Sequence, residues 1–363
     1  MNKPRFISCA RKGAAAILAF IFLAAVLTSC RTQRLVVRSR TEDPSGPTAS
    51  EDVTPTPGTT TPDVSTPTHT PATPTPVTPT PVTPTPVTPT PVTPTPVYPQ
   101  PTVFKARQYF IYDLDDDRML VVSEGEQKVY PASITKLLTI LYAKTLVSLD
   151  AKFKPGNEQE LLGENSSVAS ISSSHALSAE ILIEGMMLPS GNDAAYSLAA
   201  GCGKVLNPGA ADGKEAVAAF VAGMNDYAAS IGLTGSVFRS PDGYDDPEHF
   251  STLEDMARLG ALAYKDETVR KYAATVSDDV EFYAGRVKHW DNKNLCINPQ
   301  SSFYVPEVTG LKTGTVGSAN SCILSTATID GRSFLVGFFG ETALYDRFTD
   351  TKAAVQWIKD TIL

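Results

Sequence analysis

SCILSTATIDGRSFLVGFFG, residues 321–340, decides the fold. Two runs rich in β-branched and aromatic residues flank Asp330-Gly331, a dipeptide that tolerates left-handed backbone and so makes a tight hairpin turn. QYFIYDLDDDRMLVVSE (108–124) has the same form, two strands around an Asp-rich turn. VTGLKTG (308–314) is a further strand, and EFYAGRVKHW (281–290) a short hairpin about Gly285. Helical patterns fill the middle, over 133–147, 178–188, 192–200 and 214–231, the last stopping at Gly232. Another runs from Leu253 to Tyr264, opened by Ser251 with Glu254 at capping-box spacing. KAAVQWI (352–358) reads as a closing amphipathic helix. With strands at both ends and helices between, the N-terminal hairpin must join the C-terminal strands. The expectation is an α+β domain: a mainly antiparallel, five-stranded sheet flanked by helices, an all-helical lobe, and a cleft between them.

Residues 1–29 read differently. MNKPRFISCARK is a positive leader, and AAAILAFIFLAAVL (14–27) is an apolar run short for a permanent span. It ends in LTSC, small residues before Cys30, which resembles a bacterial lipobox and implies cleavage before Cys30 and a diacylglyceryl group on its sulfur. Residues 30–102 form a Thr/Pro-rich linker in which TPTPV repeats five times between Thr73 and Val97. Proline fixes φ and removes donors, so this stretch builds neither ladder nor core. At ~3.1 Å per residue, Cys30 to Pro101 reaches on the order of 200 Å when extended. The expected folded domain is 103–363, outside the cytoplasmic membrane and held to it by lipid on Cys30.

That domain has three cysteines, Cys202, Cys296 and Cys322, an odd number that argues against a disulfide framework. The four histidines show no metal-ligand spacing, and neither a metal nor a cofactor is expected. A net charge of −8 argues against nucleic acid as a partner.

PASITKLLTI (131–140) poses the functional question. Ser133 either caps the helix or attacks a substrate, with Lys136 one turn on as its base. Alone, S-x-x-K is a chance pattern. Two later segments change its weight: Ser190-Gly191-Asn192 before a helix of the lobe, and Lys312-Thr313-Gly314 on a predicted strand. Ser318-Ala319-Asn320 is a spare copy of the second pattern and serves as its control.

The three together resemble penicillin-binding proteins and class A β-lactamases. YPASITKLLT, LIEGMMLPSGNDAA, FVAGMNDYAASIGLTGSVFRSPDGYDDPEHFSTLEDMARL and VTGLKTGT are similar to low-molecular-mass D-alanyl-D-alanine carboxypeptidases. The resemblance covers essentially all of 103–363. It implies the two-lobed architecture reached above, removal of terminal D-alanine from peptidoglycan stem pentapeptides through an acyl-enzyme on Ser133, and covalent inhibition by β-lactams.

Chemistry fits that implication. Serine and lysine three apart share a helix face, and a helix N-terminus offers N–H groups and positive potential to an oxyanion. Lys136 must be neutral to act as base, through desolvation or a second cation such as Lys312. Asn192 can hold the Lys136 amine and the substrate amide, and Ser190 can relay a proton to the departing amine. Lys312 and Thr313 offer charge and donor to a terminal carboxylate. Gly314 lets an extended peptide lie along the strand edge, and the Thr315 N–H is the expected second oxyanion donor. Arg347 resembles a family arginine that helps hold the carboxylate. Asp242 and His249 read as structural.

This chain departs from many relatives at Val316, where a second threonine is common, and in the SPDGYDDPEHF loop. Many relatives also carry a further β-rich domain after the last helix, in whose place the lipid and linker would provide anchoring. A DD-transpeptidase or endopeptidase shares all these residues. A class A β-lactamase would need an E-x-x-L-N segment after Asn192, and none follows. A penicillin sensor would need further membrane helices, and none is visible beyond residue 27.

Overall fold

Asp330 and Gly331 carry φ of 48° and 81°, the two consecutive left-handed residues that match a tight turn to the twist of its strands. The computed structural model describes residues 97–123, 128–317 and 320–363. Cys30, the leader, the repeats up to residue 96 and the spare Ser318-Ala319 pair lie outside them.

Seven strands of five or more residues are described: β1 (Gln108–Asp113), β2 (Arg118–Val122), β3 (Ser277–Tyr283), β4 (Arg286–Asp291), β5 (Val308–Val316), β6 (Asn320–Ile329) and β7 (Arg332–Glu341). The main sheet has the order β2-β1-β7-β6-β5 and every pairing is antiparallel. β1 runs against β7 from Gln108 opposite Phe339 to Asp113 opposite Phe334. The Asp-rich turn fixes that register. Buried Asp113 accepts the N–H groups of Asp115 and Asp116 and pairs with Arg332 beside the Asp330-Gly331 turn. Ser333 N–H donates to Asp115 Oδ2 at 2.8 Å. The two hairpin turns are thereby tied together.

Alternation along the strands splits the core in two. Phe110, Leu324, Leu335 and Phe339 face the helical lobe. Ile111, Ile323, Phe334, Val336 and Phe338 face the C-terminal helix, with its Phe348, Val355 and Ile358. Each such side chain contributes about 2 kcal/mol by burial.

The helices are α1 (Thr135–Leu146), α2 (Ala179–Met187), α3 (Asn192–Leu206), α4 (Gly213–Ser230), α5 (Leu253–Lys265), α6 (Glu267–Ala274) and α7 (Asp346–Thr361). α1 is buried on all sides over its first nine residues, which is why its sequence lacks a polar stripe. The helix over 253–264 was expected to open at Ser251, but its cap is Thr252, whose hydroxyl accepts the Asp255 N–H at 3.1 Å. Ser251 is instead held in a two-residue bridge to Val129. α6 was not anticipated. It is short and charged, yet Val269, Tyr272 and Ala273 make a buried stripe at helical spacing and Asp266 caps it.

Contacts with the domain begin before Val103. Tyr98 packs edge-on against Trp357 with centroids 6.4 Å apart. The N–H groups of Lys105 and Ala106 donate to Asp350 Oδ2 at 2.7 and 2.8 Å, and Lys105 Nζ reaches Asp346 at 2.6 Å. The segment entering β1 is clasped along α7.

Candidate active site

Ser133 caps nothing. It sits in a single 3-10 turn, Ala132–Ile134, that feeds α1, and neither cap position makes a side-chain hydrogen bond. The turn is entered through Ala132 at φ 48°, a left-handed conformation that costs a residue with a Cβ about 1 kcal/mol or more. The arrangement aims the Ser133 hydroxyl into the cleft rather than back at the helix.

Lys136 is fully buried. Its Nζ lies 2.9 Å from Ser133 Oγ, 2.7 Å from Asn192 Oδ1 and 3.0 Å from the Asp242 carbonyl oxygen. The last two atoms only accept. They therefore take two N–H bonds, and the third position, facing Ser133, holds the lone pair once the amine is neutral. Burial pushes Lys136 down to about 8, against the opposing pull of Asp242 and Asp193. Desolvation alone does this. The repulsion expected from a second cation falls on Lys312, which burial first, then Lys136 and Arg347, drive well below the ordinary lysine value.

The second motif starts α3. Ser190 stands at φ 61°, Gly191 precedes the helix, and Asn192 is its first residue. Asn192 Nδ2 donates to Ser166 Oγ at 3.0 Å, which fixes Oδ1 toward Lys136. Asp193 accepts the N–H groups of Ala169 and Ile171 at 2.7 and 3.1 Å, pinning the loop that carries Ser166.

The third motif lies on β5, at one edge of the main sheet. Lys312 Nζ donates to Ser190 Oγ at 2.9 Å and to the Thr313 carbonyl at 3.1 Å. Gly314 also has a packing role that the sequence did not announce. A Cβ there would stand 2.5 Å from Cys322 Sγ, 2.9 Å from the Pro131 carbonyl oxygen and 3.0 Å from Ala132 Cβ. The missing side chain lets β5 press against the Ser133 turn, so it serves the protein's own packing. Arg347, in the first turn of α7, donates to the Gly314 carbonyl at 2.7 Å and to Thr315 Oγ1 at 3.2 Å.

These residues open onto one cleft of about 720 Å³, lined among others by Ser133, Ser190, Asn192, Thr313, Gly314, Thr315 and Arg347. A separate groove of about 480 Å³ along α4 contains none of the three motifs. Asp242 and His249 stay outside the bond-making set. Asp242 offers its backbone carbonyl to Lys136. His249 accepts the Arg239 N–H at Nδ1, so its Nε2–H faces Thr135 Oγ1 at 2.8 Å, and burial holds it neutral, down to about 4. Ser166, Asp193 and the Asp242 carbonyl were missed in the sequence. Only Asp193, adjoining the second motif, carried any signal.

An antiparallel sheet, a helical lobe and a serine–lysine cleft between them define the penicillin-binding-protein fold. The family model described as D-alanyl-D-alanine carboxypeptidase, peptidase S11, matches residues 95–341, and the chain belongs to that family. Relatives include the D-alanyl-D-alanine carboxypeptidase DacC of Escherichia coli, 27% identical over 69% of this chain and 60% of its own length. Another is the D-alanyl-D-alanine carboxypeptidase of Streptomyces sp. strain K15, 27% identical over 60% of this chain and 75% of its own. The chain spans about three-fifths of the length of DacC, of DacF of Bacillus subtilis and of DacA of Haemophilus influenzae. Among solved structures, the Streptomyces K15 DD-transpeptidase superposes with a TM-score of 0.63 at 24% identity, covering 71% of this chain and 98% of that one. Penicillin-binding protein D2 of Listeria monocytogenes, solved with ampicillin bound, gives 0.57 at 21% with the same coverage.

Proposed function

We propose that this chain is a serine D-Ala-D-Ala carboxypeptidase acting on peptidoglycan stem pentapeptides. The observation that carries the proposal is the Lys136 amine, whose two acceptor-only partners leave its lone pair for Ser133. Ser133 Oγ attacks the carbonyl of the penultimate D-alanine while Lys136 takes its proton. The N–H groups of Ser133 and Thr315 receive the oxyanion. Ser190, held by Lys312, passes a proton to the departing amine, and Asn192 holds the substrate amide. The terminal carboxylate is received by Thr313, Thr315 and Arg347. Its charge raises the Lys312 pKa again, so substrate binding restores the ammonium that burial disfavours. Water then hydrolyses the acyl-enzyme. A β-lactam offers the same carbonyl and carboxylate and remains on Ser133.

The test is incubation of the full chain with a stem pentapeptide, with and without an amine acceptor. Release of D-alanine as the main product in both arms supports the carboxypeptidase, and a cross-linked product moves the reading to a DD-transpeptidase on the same site. A β-lactam should add one drug mass to the intact chain, mapped to 131–140. No D-alanine release and no label on folded protein would sink the proposal.

The proposal includes an extracytoplasmic position, with lipid on Cys30 anchoring the domain through the Thr/Pro linker. The LTSC ending and the uncharged repeats support it, and among the described residues no helix is long and apolar enough to cross a membrane. Cys30→Ser should block lipidation, and with it removal of the leader, with unchanged peptide turnover. An N-terminus in Cys30→Ser that is still cleaved and lipid-bearing by mass spectrometry would show that the lipid is not carried by Cys30.

A further inference from the structure

Glu164, Asp245, Lys293 and Arg347 all line the cleft, and Lys312 lies buried behind Ser190. Lys312 and Arg347 are 1% and 6% exposed, and among the described residues neither has an ion-pair partner. Arg347 Nε also lacks a hydrogen-bond acceptor. The buried Arg347 guanidinium, without an ion pair, calls for a carboxylate from outside. The carboxyl-terminal residue of a bound peptide is thereby directed to the α7 side.

On that side the cleft is apolar beyond what an alanine methyl uses. Leu344 and Tyr345, immediately before Arg347, line the cleft and are 47% and 53% exposed. Tyr345 is not a loose surface ring. It stacks on Phe303 at 5.4 Å with planes 10° apart, and Phe303 lies 5.4 Å from Phe348. The Arg347 guanidinium stands 4.9 Å from the Phe348 ring. The cationic end of the site and this aromatic shelf are one packed unit, held at fixed distance from each other.

We propose that Leu344 and Tyr345 form the seat for the side chain of the leaving residue, so that the enzyme prefers peptides ending in D-Ala-D-Xaa with a large apolar Xaa. The inference rests on the carboxypeptidase reading. It extends that reading from terminal D-alanine to aromatic and branched D-amino acids. A buried carboxylate contact fixes the backbone of Xaa, and its side chain then covers the exposed faces of both residues. Contact of this kind is worth about tenfold or more in kcat/KM per side chain.

The experiment is a competition on the full chain between two stem peptides that differ only in ending, D-Ala-D-Ala or D-Ala-D-Phe. Mass spectrometry of the shared truncated donor, isotopically marked in one peptide, gives the kcat/KM ratio directly. The expected ratio is about ten in favour of D-Phe, falling toward one in Tyr345→Ser and in Leu344→Ser, each checked for folding by its thermal transition. Release of D-alanine with a ratio of one or less in the unaltered chain overturns the shelf while leaving the carboxypeptidase intact. The same holds if the ratio survives both substitutions. Absence of any release from either peptide overturns both readings together.

Discussion

Lys136→Arg lowers the rate of Ser133 acylation by a β-lactam about 10³-fold, the range over which a positioned general base contributes. The guanidinium keeps the charge but offers no lone pair at working pH. Lys136→Met gives the same loss without placing a permanent cation among buried groups, which separates chemistry from folding. The unaltered chain shows the accompanying pH signature. Burial sets Lys136 near 8, so each pH unit below that value removes about tenfold of the neutral amine and of the rate. The slope disappears in both variants. Stopped-flow acylation between pH 5 and 9 measures it, and a variant within tenfold of the parent at pH 8 would assign the base to another group.

Gly314→Ala is the second large effect. The added methyl meets a backbone carbonyl, a side-chain sulfur and a Cβ at 3.0 Å or less, and overpacking of this kind costs about 1–3 kcal/mol. The rate suffers more than the stability. Relief comes by moving β5 off the Ser133 turn, which separates Thr315 from the nucleophile, and a shift near 1 Å costs about 10²-fold. Cys322→Ala in the same chain removes one of the three collisions. It should recover part of the thermal stability but little of the acylation rate, because the Pro131 carbonyl cannot retreat without moving Ser133. Full recovery of the rate in the double variant would show that the strand–turn contact does not position the site.

Much of this was legible in the chain. Asp330-Gly331 named its own turn, since few dipeptides accept two left-handed residues in succession. The strands at the two ends could only meet in one sheet, which forced the helices between them into a lobe. The three motifs were legible because each contributes the side chain itself. What escaped was carried by backbone or by distant partners. Ala132 and Ser190 adopt positive φ without being glycine, and no residue preference announces this. The Asp242 carbonyl that receives Lys136 is an atom every residue has. Gly314 was legible as a small residue, but the reason lies in Cys322 and Pro131, which only the fold brings beside it. The cap of α5 fell one residue late because Ser251 and Thr252 both qualify and the bridge to Val129 claims the first.

The clasp between the entering segment and α7 has a mechanical consequence. A load applied at residue 97 meets its attachments in chain order, first the Tyr98–Trp357 contact near the far end of α7, then the Gln100 bond to Val122 and the Phe104 packing on Tyr109 and Phe338, and then the Lys105 and Ala106 bonds near the start of α7. The contacts are thus in series, and they fail one at a time like a peeled strip rather than together like a sheared seam. The Tyr98–Trp357 contact is weak and yields first, several residues of chain before tension reaches Asp346 and the neighbouring Arg347. The clasp therefore acts as a mechanical fuse, and the site at the start of α7 is the last part of that helix to feel a pull on the segment entering β1.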